Sequence, residues 1–423
     1  MNTHQTTSLL LGLTAIVLLA RLLGALARRL GQPAVSGEVL AGIALGPTLF
    51  HGAISDALFP DTVQPLLSAL AAVGIAIFMF IIGLEWDATM IRGNGSLAAT
   101  VTFSSILVPF GLGMLLALYL MDDYGSDDKT AFMLFMGIAM SITAFPVLAR
   151  ILTDRQMTRT PLGVVALACA SLDDVLAWFL LAAVVAISGS AGPDQWRILL
   201  AIPYLLGMLF VLRPLLHRFA ARQPVLRLTP TVFACLLAGL LLSAAATEWV
   251  GLHYIFGAFL FGVILPRTGT EPLRAEVHDR LGQMTGTLLL PVFFLVAGLK
   301  VDLSGLDMSG LGAMALILLV AVGGKFTGTF AAARLNRMPA RQSAALATLM
   351  NTRGLTELIV LNVGLQLGFL GQGLYSLMVV MAVITTAMTG PLLNWILGRP
   401  KGTDLEAPDV SERKAGTVGT AAW

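Results

Sequence analysis

Two adjacent carboxylates, Asp173 and Asp174, lie in the middle of an apolar run of the sequence, ALACASLDDVLAWFLLAAVV. An aspartate at the centre of a lipid-spanning helix costs roughly 3 kcal/mol, so each is expected to hold a proton, a cation or a basic side chain. Neighbours on a helix point about 100° apart, so one carboxylate can pair with a basic residue while the other faces a cavity. The pair indicates a buried site for protons or a small cation, unless protons or amides neutralise both in a purely structural role.

Four further charges in apolar surroundings extend this pattern. Lys325 lies in LVAVGGKFTGTF, where its expected partner is a carboxylate; apolar sequence on both sides disfavours an ammonium group that snorkels to the membrane surface. Arg353 and Glu357 are four residues apart on one helix face, which predicts either an internal ion pair or a bias on the charge of the site. Glu38 either caps a polar network or pairs with Arg353.

The elements that must position these charges are membrane-spanning helices. Of the 423 residues, 57% are hydrophobic and 12% are charged, about half the roughly 25% of soluble proteins, which excludes a disordered chain and an ordinary soluble enzyme. Because about 20 apolar residues cross a bilayer, the sequence predicts an all-α polytopic membrane protein with about thirteen transmembrane helices in one region, residues 1–400. The predicted spans lie near 7–27, 34–50, 65–84, 97–121, 130–150, 161–188, 195–213, 230–249, 252–266, 284–299, 311–333, 343–368 and 374–397.

The remaining sequence contains few signals for other chemistry. Residues 401–423 are charged and rich in Pro, Gly and Ala, which predicts a short disordered cytoplasmic tail. There is no Walker A loop, no HExxH motif and no set of paired Cys and His residues, so we expect no cofactor and no metal-dependent enzyme activity. The fold carries no basic stripe, so nucleic acid is not an expected partner, whereas membrane lipid is.

The basic residues are distributed very unevenly among the connections. With the N-terminus outside, 20 of the 26 Lys and Arg residues fall in inside connections or the tail and 3 fall in outside connections. Cytoplasmic loops carry this excess, so the chain is predicted to be a multi-pass protein of the cell membrane with its N-terminus outside and its C-terminus cytoplasmic. His278 lies among acidic residues of a predicted inside loop, where it either senses pH or is simply solvated.

Two pairs of spans resemble each other at the same offset. VLAGIALGP in the second span matches FLFGVILP in the ninth, and FMFIIGLEWD in the third matches FFLVAGLKVD in the tenth. The offset of seven spans is odd, so the two copies cross the membrane in opposite directions. Chance similarity between Gly-rich apolar runs is less plausible for two pairs than for one. An inverted-topology repeat is typical of secondary transporters, whose substrate site lies near the midplane where the copies meet.

The same offset relates the fifth span to the twelfth, and both are predicted to break at membrane depth. The fifth contains SITAFPVLAR and the twelfth contains MNTRGLTEL. A helix break in the membrane is tolerated where it is covered by protein or lines a cavity, and its freed ends offer partial charges to ions. A kink without a ligand is the alternative. The residues expected to support the two crossed broken helices are Ser141, Thr143, Pro146, Asn351, Thr352, Arg353, Gly354 and Glu357.

Six segments in order resemble the second family of monovalent cation:proton antiporters: GQPAVSGEVLAGIALGP, IFMFIIGLEWD, SITAFPVLARIL, LDDVLAW, LPVFFLVAGLKVDL and MNTRGLTELIVLNVG. The likeness extends over about residues 7–397. It implies the sodium/proton antiporter fold, with a dimerisation part of spans 1–3 and 8–10 interleaved with a core part of spans 4–6 and 11–13. It also implies a homodimer, elevator-like alternating access, and a monovalent cation and protons as partners.

Carried over residue by residue, the resemblance assigns Asp174 as the aspartate that binds the transported cation or a proton. Asp173 matches the position before it, and Lys325 matches the core lysine that pairs with Asp173. The resemblance thus implies a secondary active antiporter and not an enzyme. Potassium-efflux members carry a large nucleotide-binding domain, whereas about 25 residues follow the last span here, so gating by such a domain is not expected.

Three other function classes remain open from the residues alone. A gated monovalent cation channel, or a potassium efflux protein without obligatory proton exchange, needs the same carboxylates but no counter-transport. A symporter of organic anions would use the positive ends of broken helices, although two carboxylates argue against an anion. A scaffold or sensor would have little reason to bury this set of charges. The sequence predicts neither the choice between Na⁺ and K⁺ nor the stoichiometry.

Overall fold

The computed structural model of the protein describes residues 3–30, 32–48, 53–60, 62–85, 95–126, 128–158, 160–187, 200–221, 228–250, 252–267, 269–305 and 307–398. All regular elements within these ranges are helices, and none is a strand. The α-helices are α1 Thr3–Arg29, α2 Ala34–Leu45, α3 Ala53–Leu58, α4 Gln64–Glu85, α5 Gly95–Tyr124, α6 Lys129–Ser141, α7 Phe145–Asp154, α8 Pro161–Ile187, α9 Ala201–Leu206, α10 Arg213–Ala221, α11 Pro230–Val250, α12 Tyr254–Ile264, α13 Glu271–Met284, α14 Leu290–Leu299, α15 Met308–Leu335, α16 Ala340–Met350, α17 Leu355–Gln366 and α18 Gln372–Leu397.

The predicted fold class is confirmed. Within the described ranges, ten helical segments are long and apolar enough to cross a membrane, where α6 with α7, α9 with α10, and α13 with α14 each count as one segment. Three shorter apolar helices accompany them: α2, α12 and α17. Each predicted span coincides with one helix or with consecutive helices. The predicted tail, residues 401–423, and the predicted start of the seventh span, residues 195–199, lie outside the described residues.

Predicted boundaries were wrong at two spans: the seventh, predicted to end near residue 213, continues to Ala221, and the tenth begins earlier than predicted. The helix begins at Glu271 instead of near residue 284, and α13 continues through a π-helical turn, Thr285–Leu289, into α14. Its first turns are polar on the outside, while Leu273, Val277 and Leu281 are buried at four-residue spacing, which a search for continuous apolar sequence does not detect. His278 therefore lies on a helix and not in a loop, with its Nε2 2.8 Å from Glu85 Oε1.

The four helices that carry the repeat motifs pack against each other in two equivalent pairs. The third span, α4, packs against the ninth, α12, and the tenth, α14, packs against the second, α2. The motif glycines are the contact points: a Cβ on Gly298 would lie 2.7 Å from the Cα of Gly42, and a Cβ on Gly262 would lie 2.7 Å from the backbone nitrogen of Leu84. Glycine at these positions lets two backbones touch, so both halves of the repeat are joined by equivalent seams.

The helix that carries Lys325 is held by a third close approach. α15 packs along α5, and a Cβ on Gly324 would lie 2.9 Å from the Cα of Pro109. One turn later, Ser104 Oγ donates a hydrogen bond to the carbonyl of Gly328 over 2.8 Å. These two contacts flank Lys325, so they fix the depth at which its side chain enters the protein.

Candidate functional site

Two helix breaks form the centre of the site. α6 ends at Ser141 and α7 begins at Phe145, with extended backbone at Ile142 (φ −71°, ψ 140°). Pro146 lies in the first turn of α7, where a helix needs no backbone N–H, so the proline fits the start of the second half-helix. The corresponding break in the twelfth span separates α16 from α17. A Cβ on Gly354 there would lie 2.6 Å from Val147 Cγ2, so the crossing requires glycine.

The two breaks contact each other directly. The backbone N–H of Ala144 donates to the carbonyl of Thr352 over 2.9 Å, and Thr143 Oγ1 donates to the carbonyl of Met350 over 2.8 Å. The carbonyl end of α16 therefore receives a donor from the break in the fifth span. The sequence predicted two broken helices, and the structure shows that they cross at hydrogen-bonding distance.

An arginine from one break satisfies the carbonyl end of the other half-helix. Arg353 Nη1 donates to the carbonyl of Ala139 over 2.5 Å, and Nη2 donates to the carbonyl of Met140 over 2.6 Å. The same guanidinium pairs with Glu357 Oε2 at 2.8 Å, and both side chains are fully buried. A cation at a helix C-terminus is favourable because that end carries a partial negative charge.

The lysine and the first aspartate form a second buried pair. Lys325 Nζ lies 2.7 Å from Asp173 Oδ2, and neither residue is exposed. Nζ also donates to Thr143 Oγ1 over 2.7 Å, which connects the pair to the crossing of the broken helices. The structure thus brings together three of the predicted site residues, from α15, α8 and the first break.

Asp174 differs from every other charge at the crossing. It is 4% exposed, and neither of its carboxylate oxygens has a hydrogen-bond partner among the described residues. The backbone N–H of Phe145 and the hydroxyl of Thr356 face it without reaching hydrogen-bond geometry. Both groups belong to first turns, of α7 and α17, where the helix dipole favours a negative charge or a ligand that shares it.

Three further predicted residues, Ser141, Thr352 and Asn351, lie near the crossing. The Ser141 hydroxyl donates to the carbonyl of Ile138 over 2.8 Å, and the Thr352 hydroxyl donates to the carbonyl of Leu349 over 2.7 Å, so both bond within their own helix turn. Asn351 is 3% exposed, and its Oδ1 is buried without a partner in the described part.

The position of Glu38 resolves one alternative. Arg353 pairs with Glu357 and not with Glu38. Glu38 instead lies on α2 within electrostatic range of Arg21 and Arg28 on α1. It belongs to the packing between the first two spans and is not part of the crossing.

Sequence reasoning missed two threonines of the site. Thr356 lies inside the MNTRGLTEL segment, and its place in the first turn after the break could have indicated that it faces the crossing. Thr386 accepts a hydrogen bond from the backbone N–H of Arg353 over 3.1 Å and donates to its carbonyl over 2.5 Å. Nothing in its surroundings, ITTAMTG, distinguishes it from other threonines of the last span.

Comparison with known proteins gives one consistent picture. A family described as sodium/hydrogen exchanger, transmembrane, matches residues 14–399. Na(+)/H(+) antiporter NhaS4 of Synechocystis is 40% identical over 95% of this chain and 100% of its own length. Cation/H(+) antiporter 20 of Arabidopsis thaliana is 36% identical over 95% of this chain but 50% of its own, so the chain spans about half the length of that plant relative. K(+)/H(+) antiporter 1 of Saccharomyces cerevisiae is 32% identical over 85% of this chain and 43% of its own.

Solved structures show the same fold. The sodium proton antiporter MjNhaP1 from Methanocaldococcus jannaschii, solved at pH 8, superimposes with a TM-score of 0.68 over 93% of this chain and 98% of its own. The two sequences are 14% identical, so the likeness supports the fold alone.

Proposed function

This chain belongs to the sodium/hydrogen exchanger transmembrane family, and we propose that it exchanges Na⁺ or K⁺ for protons across the cell membrane by alternating access. The relatives named above are transporters and not enzymes; they include both Na⁺/H⁺ and K⁺/H⁺ antiporters. The observation that carries the proposal is Asp174, a buried carboxylate that has no hydrogen-bond partner among the described residues and faces the first turns of two half-helices.

The charges at the crossing explain why cation and proton compete. Lys325 and Asp173 neutralise each other, as do Arg353 and Glu357, so Asp174 carries the unbalanced charge among these five groups. A lone buried charge is costly, and either one proton or one monovalent cation removes that cost. Both ligands use the same carboxylate, so binding of one excludes the other, and this exclusion couples the two fluxes. Asp173 assists as the neighbouring carboxylate.

The supporting residues keep the two helix breaks open to an ion. Thr143 and Arg353 satisfy carbonyl ends of α16 and α6, which would otherwise repel Asp174. Glycine at position 354 allows the close crossing, and Pro146 starts the second half of the fifth span. Asn351 supplies an unsatisfied oxygen that can join a cation stripped of water.

We propose the same division into two parts that the resemblance implies. The scaffold part comprises spans 1–3 and 8–10, which the two glycine seams hold together and which would form a homodimer. The core part comprises spans 4–6 and 11–13, which carry both ion pairs and Asp174. The core moves against the scaffold, and this movement exposes Asp174 to one side at a time.

The orientation follows from the charge distribution, with the N-terminus outside and the C-terminus cytoplasmic. Ala57 is exposed in the connection between the second and third spans, so Ala57→Cys should react with an impermeant thiol reagent added outside. Leu405→Cys in the tail should react after the membrane is made permeable. Labelling in the opposite order would reverse the orientation.

The experiment that tests the function is proton movement in proteoliposomes. With the membrane potential held at zero, gradients of Na⁺, K⁺ and Li⁺ are imposed in turn and internal pH is recorded. An antiporter drives protons uphill against the cation gradient, whereas a cation channel passes the cation without moving protons uphill. Absence of coupled proton movement with all three cations would contradict the proposal.

A further inference from the structure

A short segment at the end of α14, Ala297–Asp302, connects the scaffold part to the core part at one end of the molecule. We name it the outer segment, because the charge distribution assigns this end to the outside. Three hydrogen bonds join it to α18: Tyr375 Oη to Ala297 O at 3.0 Å, Gln372 Nε2 to Lys300 O, and Asp302 N to Ser376 Oγ at 2.9 Å. The core helix α18 is thus hydrogen-bonded to the backbone of the scaffold helix α14 and of the residues that follow it.

A fourth contact comes from a charged side chain. Lys300 Nζ donates to Asn362 Oδ1 on α17 over 2.7 Å. Its partner is a neutral amide, and burial lowers the pKa of the Lys300 ammonium because the charge is partly removed from water. An ammonium group held by an amide is less well compensated than one held by a carboxylate, so this contact joins the two parts without locking them.

The helix that carries Asn362 also reaches the ion site. Thr356, in the first turn of α17, faces Asp174, and Asn362 follows six residues later, about 9 Å along the helix axis. The residues from Leu355 to Gly364 are all buried in one uninterrupted half-helix, so packed side chains connect its first turn to Asn362. A displacement of its first turn is therefore transmitted to the contact with Lys300.

The opposite end of the molecule is joined differently. There, between described residues, Gln32 Nε2 on the scaffold side donates to the carbonyl of Ala387 on α18 over 3.1 Å, and Gln32 Oε1 is buried without a partner. The outer segment thus carries four of the polar contacts between the two parts that the structure describes.

We propose that Lys300 is a positioning residue whose bond to Asn362 latches the core to the scaffold at the outer end, and that this latch opens whenever Asp174 is exposed to the outside. The inference rests on the proposed antiport by alternating access. α17 and α18 leave the outer segment when the core moves, while α14 stays with the scaffold through its seam with α2.

A disulfide across the latch tests this directly. In a background with Cys169→Ala and Cys235→Ala, which removes both native cysteines, Asp302→Cys is combined with Ser376→Cys, since the N–H of one bonds the hydroxyl of the other. Oxidation should abolish cation-driven proton exchange, and a reductant should restore it. Full exchange by the oxidised, crosslinked protein would overturn the proposal.

A matched pair within the scaffold provides the control. The backbone N–H of Leu303 donates to Thr48 Oγ1 over 3.3 Å, the same type of contact, but both residues belong to the scaffold part. The double variant Thr48→Cys with Leu303→Cys should form its disulfide and keep exchanging. Equal loss of exchange in both pairs would mean that crosslinking damages this end of the protein, and would overturn the latch.

Single substitutions test Lys300 itself, with the apparent affinity for the cation measured separately on the outside and on the inside. Lys300→Gln weakens the latch, so the cation concentration for half-maximal exchange should fall several-fold outside relative to inside. Asn362→Asp converts the latch into an ion pair and should shift this ratio in the opposite direction, as should Gln32→Ala at the other end. A ratio unchanged in Lys300→Gln and Asn362→Asp would assign Lys300 a structural role only.

One readout does not depend on transport. Ala297 is 2% exposed, so Ala297→Cys in the cysteine-free background should react slowly with an impermeant reagent from outside, and faster when Lys300→Gln is added. Equal labelling rates with and without Lys300→Gln would contradict the latch. Wild-type protein without coupled proton movement would contradict the proposed function instead, and the labelling result would still decide whether the outer end opens through Lys300.

Discussion

The two buried ion pairs at the crossing differ in what holds them together. Arg353 and Glu357 lie four residues apart in one chain segment, the arginine in the break before α17 and the glutamate in its first turn, and not on one helix face as predicted. The arginine also binds two carbonyls of α6. Lys325 and Asp173 lie on different helices, α15 and α8, and the lysine is shared with Thr143. Because the partners of the second pair lie on different helices and share Thr143, cation entry can open that pair, whereas the first pair is held within one chain segment.

The surroundings of the two ion pairs also differ. The Lys325–Asp173 pair is followed directly in sequence by the unpartnered Asp174, while the Arg353–Glu357 pair is surrounded by the helix ends that it satisfies. The comparison teaches that a buried ion pair is not itself a sign of function, because paired buried charges also serve structure. A pair that joins two helices, next to a carboxylate without a partner among the described residues, is the arrangement that can exchange ions.

The largest effect is expected from Asp174→Asn, which keeps the shape of the side chain and removes its charge. Cation-driven proton movement should fall to the level of empty vesicles, because neither ligand then has a carboxylate to neutralise. Thermal stability should be unchanged or higher, since a lone buried charge is removed. Proton flux comparable with wild type would show that the ion binds elsewhere.

Arg353→Met should instead act on stability. It leaves Glu357 as an uncompensated buried charge and deprives two carbonyls of α6 of their donor, which costs about 3–5 kcal/mol. We expect a large loss of folded protein and a lower unfolding temperature in detergent. The double variant Arg353→Met with Glu357→Leu removes the lone charge and should recover part of that loss. A single variant as stable as wild type would mean that the pair contributes nothing to the fold.

The inter-helix pair is expected to change the coupling and not the fold. If cation entry breaks the bond between Lys325 and Asp173, the lysine releases a proton in addition to the one displaced from Asp174, and exchange carries net charge. One elementary charge across 100 mV corresponds to about 2.3 kcal/mol, so the balance point should shift with voltage in wild type. Lys325→Gln with Asp173→Asn should remove that shift. A wild-type balance point independent of voltage would indicate one-for-one exchange and a structural lysine.

The smallest effects come from two hydroxyls of the first break. Thr143→Val removes the acceptor of Lys325 and the donor to Met350 O, and should lower stability by about 1–3 kcal/mol because buried polar groups lose their partners. Ser141→Ala, two residues away, removes one hydrogen bond within a helix turn and should lower stability by about 1 kcal/mol or less. Equal unfolding temperatures for Thr143→Val and Ser141→Ala would mean that the bonds of Thr143 between helices stabilise the fold no more than a bond within one helix turn.

The fold and the composition of the site were predictable from sequence to different degrees. The spans are predicted by the length of the apolar segments. The repeat is predicted by the four matching motifs of the second, third, ninth and tenth spans, whose glycines meet in the two seams. The start of α13 was missed because its turns bury one side only. A search for long apolar segments finds the part of a helix that lies in lipid. It does not find the part that continues into the polar boundary of the membrane.

Individual partners at the crossing were less predictable. Lys325 was expected to meet a carboxylate, and the structure places Asp173 there, but the bond to Thr143 depends on the register of three helices. Arg353 was expected near the break, yet its bonds to Ala139 and Met140 join residues more than 200 positions apart. Composition and spacing alone do not show which of the two adjacent aspartates pairs with Lys325; only the family resemblance assigned Asp173 to it, and the two side chains lie 2.7 Å apart.

The central claim is that cation and protons compete for Asp174. The most direct measurement is the cation concentration for half-maximal exchange in proteoliposomes as a function of pH, at fixed voltage and with equal pH on both sides. Competition at one carboxylate predicts that this concentration rises as pH falls, approaching about tenfold per pH unit where the proton dominates. A half-saturating concentration that stays constant across the pH range, with coupled exchange still present, would contradict the account.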